Sequence, residues 1–157
     1  MLIKNMSPNT TLVFFPGFLG FYKYGFSSLV ISYFRNLEGI LRDEGVEFLF
    51  PSPPQTGSVA ERAESLSFAI KERTKGKLIL IGHSMGGLDG RFLIHHLDPD
   101  HRVRALFTLS TPHHGTPVAP WILDTDGPFQ FMVRSFGAKA LREMTPDACR
   151  KRNQEIT

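Results

Sequence analysis

Leu78-Ile79-Leu80-Ile81 runs without a polar residue into Gly82-His83-Ser84-Met85-Gly86. A short apolar, β-branched run ending in Gly-x-Ser-x-Gly is the sequence form of a sharp strand-to-helix elbow, with the serine hydroxyl pushed clear of the sheet. Such a bend forces position 84 into strained backbone, and side chains two residues to either side would collide, hence the glycines at 82 and 86. By composition alone the pattern arises in about one chain in ten of this length, so its surroundings must carry the reading. From Gly87 to Leu97, Leu88, Phe92 and then Ile94 or His95 recur at helical spacing, and Asp98-Pro99 supplies a stop. Strand, elbow and helix stand in the required order, which singles out Ser84.

At 157 residues and 41% hydrophobic, the chain is long enough for one domain with its own core. The net charge is +3, but apart from Arg150-Lys151-Arg152 the positive residues are scattered, so no nucleic-acid surface is expected. Fourteen Phe against one Trp and three Tyr suit a core, and equally an apolar substrate channel. The single cysteine, Cys149, excludes an intrachain disulfide. No run approaches membrane-spanning length, and Met1 to Thr11 lacks the apolar stretch of a signal peptide, so a cytoplasmic location is the default expectation.

Thr11 to Phe15 reads as a buried strand closed by Pro16-Gly17, and residues 18–28 as a glycine- and aromatic-rich loop. Between Leu29 and Glu44 apolar residues follow the 3.6-residue period, predicting a helix that Gly45 ends. Val46 to Phe50 reads as a second strand. Ser58-Val59-Ala60-Glu61 is a capping box that opens a helix running to about Thr74. Leu78–Ile81 and Val103–Leu109 complete the strands. Alternation of this kind predicts βαβ crossovers and an α/β fold, with a parallel sheet of about four strands covered by helices on both faces. After Leu109 the rhythm breaks: Ser110 to Pro120 and Asp124 to Pro128 read as loops, with short helical pieces around 129–143 and 146–154. The expected division is a core over 1–123 and a helical cap over 124–157.

Three segments together resemble the bacterial triacylglycerol lipases and esterases of the α/β-hydrolase fold. They are Phe15-Pro16-Gly17-Phe18-Leu19-Gly20, Leu80 to Leu88 around the elbow, and Leu109-Ser110-Thr111-Pro112-His113-His114-Gly115-Thr116. The resemblance implies that Ser84 attacks an ester carbonyl, and that the backbone N–H groups of Met85 and Phe18 form the oxyanion hole. Leu19, Phe21 and Trp121 would contact a fatty-acyl substrate, with transient contact at a lipid interface. No cofactor or metal is implied. Pro16 stands where such lipases carry His, which leaves the support of this loop open. Related readings are a deacylase or acyltransferase acting on a lipid headgroup, or an inactive fragment.

A serine needs a base and an orienting carboxylate, which these enzymes place in the order Ser, acid, His. No strand-turn-Asp or strand-turn-His pattern follows residue 130, and the last histidine is His114, so the chain reads as the N-terminal portion of such an enzyme. His95 and His96 fall roughly 16–18 Å along the helix from Ser84. His113 and His114 leave the neighbouring strand beside the elbow, either as a base or as braces for the loops. His83 reads as packed against the elbow. Asp89 and Arg91 read as a solvated face or a local ion pair, and Asp124 and Asp126 as a position where some hydrolases keep their acid. Phe129, Phe131, Met132 and Phe136 read either as cap packing or as an acyl-binding lid.

Overall fold

The apolar runs line up in one parallel sheet, in which the strands ending at Phe15, His83 and Leu109 finish nearly level at their carboxyl ends. The structure, a computed structural model, describes residues 9–20, 23–24, 31–32, 34 and 36–156. In chain order the elements are β1 (Thr10–Phe15), β2 (Lys23–Tyr24), β3 (Ile31–Ser32), α1 (Leu37–Asp43), β4 (Phe48–Leu49), α2 (Val59–Arg73) and β5 (Lys77–His83). They continue as α3 (Met85–His96), β6 (Val103–Leu109), α4 (Val118–Asp124), α5 (Pro128–Glu143) and α6 (Pro146–Glu155). The sheet order is β4-β1-β5-β6, all parallel, while β2 and β3 form a separate antiparallel pair.

Period-2 alternation sends successive residues of β1 to opposite faces. Val13 and Phe15 pack with Leu78 and Leu80 of β5 against Ala63, Leu66 and Ile70 of α2 and Leu93 of α3. Leu12 and Phe14 turn the other way, onto Leu41 of α1 and Phe50. Much of the phenylalanine excess lies on this second face. The rings of Phe14 and Phe50 stack at 4.8 Å, and Phe34 lies 5.4 Å from each. A third cluster joins α4, α5 and α6 to the elbow: Ala119, Ile122, Val133, Ala140, Leu141, Met144 and Cys149 pack with Val59, Met85 and Leu88.

The structure corrects several boundaries. The helix expected from Leu29 begins at Leu37, because Ile31–Ser32 pairs with Lys23–Tyr24 and Asn36 sits at φ 57° without capping the helix. Leu29, Val30 and Tyr33 lie outside the described residues. The second strand narrows to Phe48–Leu49. The expected loop through Pro120 contains α4, since Pro117 takes the cap and Pro120 the first turn, where a helix needs no donor from proline. Nor are both sheet faces fully covered. Phe107 pairs in register with Ile81 and Leu109 with His83, yet Phe107 is 58% and Leu109 52% exposed. Among the described residues, no helix is long and apolar enough to cross a membrane.

Candidate functional site

Register brings three loops together. Phe15 of β1 pairs with Gly82 of β5, which pairs with Thr108 of β6. The Pro16-Gly17-Phe18 loop, Ser84 and the Ser110–Thr116 loop therefore leave the sheet side by side at its carboxyl edge, where open α/β sheets place their ligands.

Ser84 is half-buried and adopts φ 52°, ψ −126°, a backbone conformation that an L-residue keeps only when its surroundings impose it. Its N–H donates to the Leu109 carbonyl at 2.8 Å, and α3 begins with the next residue. The flanking glycines have the steric role the sequence assigned. A Cβ on Gly82 would stand 2.6 Å from the Gly86 carbonyl oxygen and the Gly87 Cα, and one on Gly86 would stand 2.4 Å from the Phe15 carbonyl oxygen. One on Gly87 would meet Thr111 Oγ1 at 2.1 Å. The first turn of α3 thus lies directly on the ends of β1 and the 110–116 loop.

In the loop after β1, the Leu19 N–H donates to Gln55 O and the Gly20 N–H to Gly17 O. Among the described residues no backbone acceptor takes the Phe18 N–H. The Phe18 ring packs into the elbow cluster and fills the space a side chain at Gly137 of α5 would need, 2.3 Å from its Cζ. Leu19 is 41% and Trp121 of α4 51% exposed. Phe21 lies outside the described residues.

The acidic residue on the elbow helix departs from expectation. Residues 85–90 are buried throughout, so α3 has no solvated face there. Asp89 and Arg62 of α2 are both 0% exposed, and Arg62 Nε donates to Asp89 Oδ2 at 2.9 Å. The other guanidinium nitrogens reach backbone: Nη1 donates to Pro54 O at 3.1 Å, and Nη2 to Pro16 O at 2.6 Å and Gly17 O at 3.4 Å. Burial raises the Asp89 carboxyl to about 7 against the opposing pull of Arg62, and its Oδ1 has no partner among the described residues. Arg91 turns away, its Nη1 donating to Asn153 Oδ1 at 2.6 Å. The available signal was Asp89 among Gly86, Gly87 and Gly90: a helix face too closely packed for solvent forces a carboxylate to find a buried cation.

The histidines do not complete a triad. His113 Nε2 is 3.0 Å from Thr108 Oγ1, and its carbonyl accepts from Asn153 Nδ2 at 2.9 Å. Burial, assisted by Arg91 and His114, lowers its pKa and favours the neutral ring. His95 and His96 are exposed at the far end of α3. Among the described residues, no histidine hydrogen-bonds the Ser84 hydroxyl. Asp126 pairs with Arg134 at 3.2 Å. Phe129, Phe131 and Met132 are 55%, 69% and 51% exposed, so cap packing does not account for these three; α5 buries Val133, Ala140 and Leu141 instead.

A parallel sheet, a serine in left-handed backbone at its carboxyl edge and a helix starting at the next residue define an α/β hydrolase. Residues 55–143 match the PGAP1-like alpha/beta domain, and the chain belongs to this family. It is similar to triacylglycerol lipase 2 of Saccharomyces cerevisiae, 33% identical over 105 residues that cover 61% of this chain and 32% of that protein. Its fold resembles the mature Bacillus licheniformis lipase (TM-score 0.76, 19% identity, 98% of this chain and 62% of that one). It also resembles Staphylococcus hyicus lipase (TM-score 0.67, 20% identity, 97% and 64%). The chain thus spans about a third of the yeast relative and under two-thirds of either solved lipase.

Proposed function

We propose that this chain carries the nucleophile and oxyanion hole of a carboxylic-ester hydrolase acting on fatty-acyl esters. The observation that carries the reading is the backbone of Ser84, φ 52° and ψ −126°, held between β5 and α3 by glycines that no larger residue could replace in place. Ser84 Oγ attacks the ester carbonyl, and the N–H groups of Met85 and Phe18 take the developing oxyanion. The alcohol leaves with a proton, and water then releases the acid from the acyl-serine, returning the proton to Ser84. The base and acid that move these protons are not brought to Ser84 by the described residues. Residues 1–123 form the core in this reading and 124–157 its cap. The exposed Leu19 and Trp121, with Phe129, Phe131 and Met132 of α5, suit an acyl chain or transient contact with a lipid surface.

A second reading is favoured by the His113–Thr108 contact, which engages the His113 ring elsewhere: an α/β-hydrolase module with no activated serine. One experiment separates the two. The full-length protein should be labelled by a fluorophosphonate and hydrolyse p-nitrophenyl acyl esters, and Ser84→Ala should abolish both. A folded wild-type protein that takes no label supports the second reading.

A further inference from the structure

We infer that Arg62, fixed by Asp89, is a positioning residue for the oxyanion loop, holding the peptide that carries the Phe18 N–H. This inference rests on Ser84 being the nucleophile.

The observation behind it is where one buried guanidinium spends its donors. Arg62 meets a carboxylate on the elbow helix, two consecutive carbonyls of the loop after β1, and the Pro54 carbonyl ahead of its own helix. A buried ion pair gains little stability over apolar packing, because desolvating both charges offsets their attraction. Its geometry here does something apolar packing could not. The Gly17 carbonyl and the Phe18 N–H belong to one planar trans peptide and point in opposite directions. Drawing the Pro16 and Gly17 carbonyls inward onto Arg62 therefore aims the Phe18 N–H outward, and the Leu19 N–H is already committed to Gln55. The Phe18 ring seated against Gly137 fixes the other side of the same residue.

Arg62 thus supplies the support that Pro16 cannot, having no N–H and no polar side chain. Asp89 lies five residues beyond Ser84 on the same helix. The pair consequently ties one oxyanion donor, Phe18, to the helix that carries the other, Met85. Arg62 touches no reacting atom in this scheme.

The test uses Arg62→Gln and Asp89→Asn in the full-length protein, with folding checked by circular dichroism. Arg62→Gln should lower kcat on a short acyl ester about 10- to 100-fold, less than the about 10²–10³-fold cost of removing an oxyanion donor outright, with KM within about twofold. Affinity for an alkylboronic acid, whose adduct on Ser84 mimics the tetrahedral state, should fall in parallel. Asp89→Asn should produce the same split in smaller degree, because Arg62 stays in place without its charged anchor. A reactive wild type whose folded variants keep kcat and boronate affinity overturns the positioning role alone. A wild type that neither labels nor hydrolyses removes the hydrolase reading, and this inference with it. If neither variant folds, the pair belongs to the core and the inference is overturned.

Discussion

Asp89 illustrates how one residue's surroundings invert its usual behaviour. A surface aspartate titrates near 4; here burial outweighs the Arg62 attraction and lifts the carboxyl to about 7, with Arg152 pulling it down and Glu143 pushing it up more weakly. The folded protein therefore holds this proton more tightly than the unfolded chain. The stability tied to it is fully present below the unfolded value and is lost as pH rises through about 7. Denaturant unfolding of wild type and Asp89→Asn should show it. The stability difference between them should shift toward the wild type as pH falls from about 8 to about 5. A difference constant across that range would mean that Asp89 titrates as an ordinary carboxylate. In His113 the same cause moves the pKa the other way: burial disfavours the imidazolium and lowers it, and Nε2 of the ring is occupied by Thr108.

Among the elements, α2 shows what a local signal can specify. Ser58 Oγ accepts from the Glu61 N–H and the Ser58 N–H donates to Glu61 Oε2, the reciprocal box legible in the sequence. Replacing Ser58 by Ala should cost about 1 kcal/mol of unfolding free energy, measured by denaturant titration, with little change in the slope. What the box did not foretell is that Glu61 also binds Lys139, tying α2 to α5 across the chain. The helix misplaced at Leu29 teaches the converse. Apolar residues at helical spacing were present, but Val30-Ile31-Ser32-Tyr33 is also a β-favouring run, and pairing with Lys23–Tyr24 decided between the two at Ile31–Ser32. In α4, prolines that read as breakers occupy the start of a helix.

At the scale of the whole molecule, the sheet is asymmetric. β4 and β6 are both edge strands among the described residues, but β4, β1 and β5 have cover on both faces, whereas β6 shows Phe107 and Leu109 to solvent. An edge strand with exposed apolar side chains is a template for pairing with another chain. The polypeptide 1–157 expressed alone should therefore associate in a concentration-dependent way by light scattering, and Leu109→Lys should shift it toward monomer. A monodisperse wild type over a wide concentration range would show that the edge is already protected. The α/β architecture, the elbow at Ser84 and the cap on α2 were all legible in the residue order, because period, glycine placement and capping act between neighbours a few positions apart. The buried Arg62–Asp89 pair, the anchoring of the Pro16–Gly17 carbonyls and the turning of His113 onto Thr108 were decided by tertiary structure. The partners of the first two contacts lie 27 to 46 residues apart, and whether a charge is paired or solvated depends on what the folded chain packs around it. The His113–Thr108 contact spans only five residues, but the path of the loop between them, and so the direction of the ring, is set by the elements packed against it.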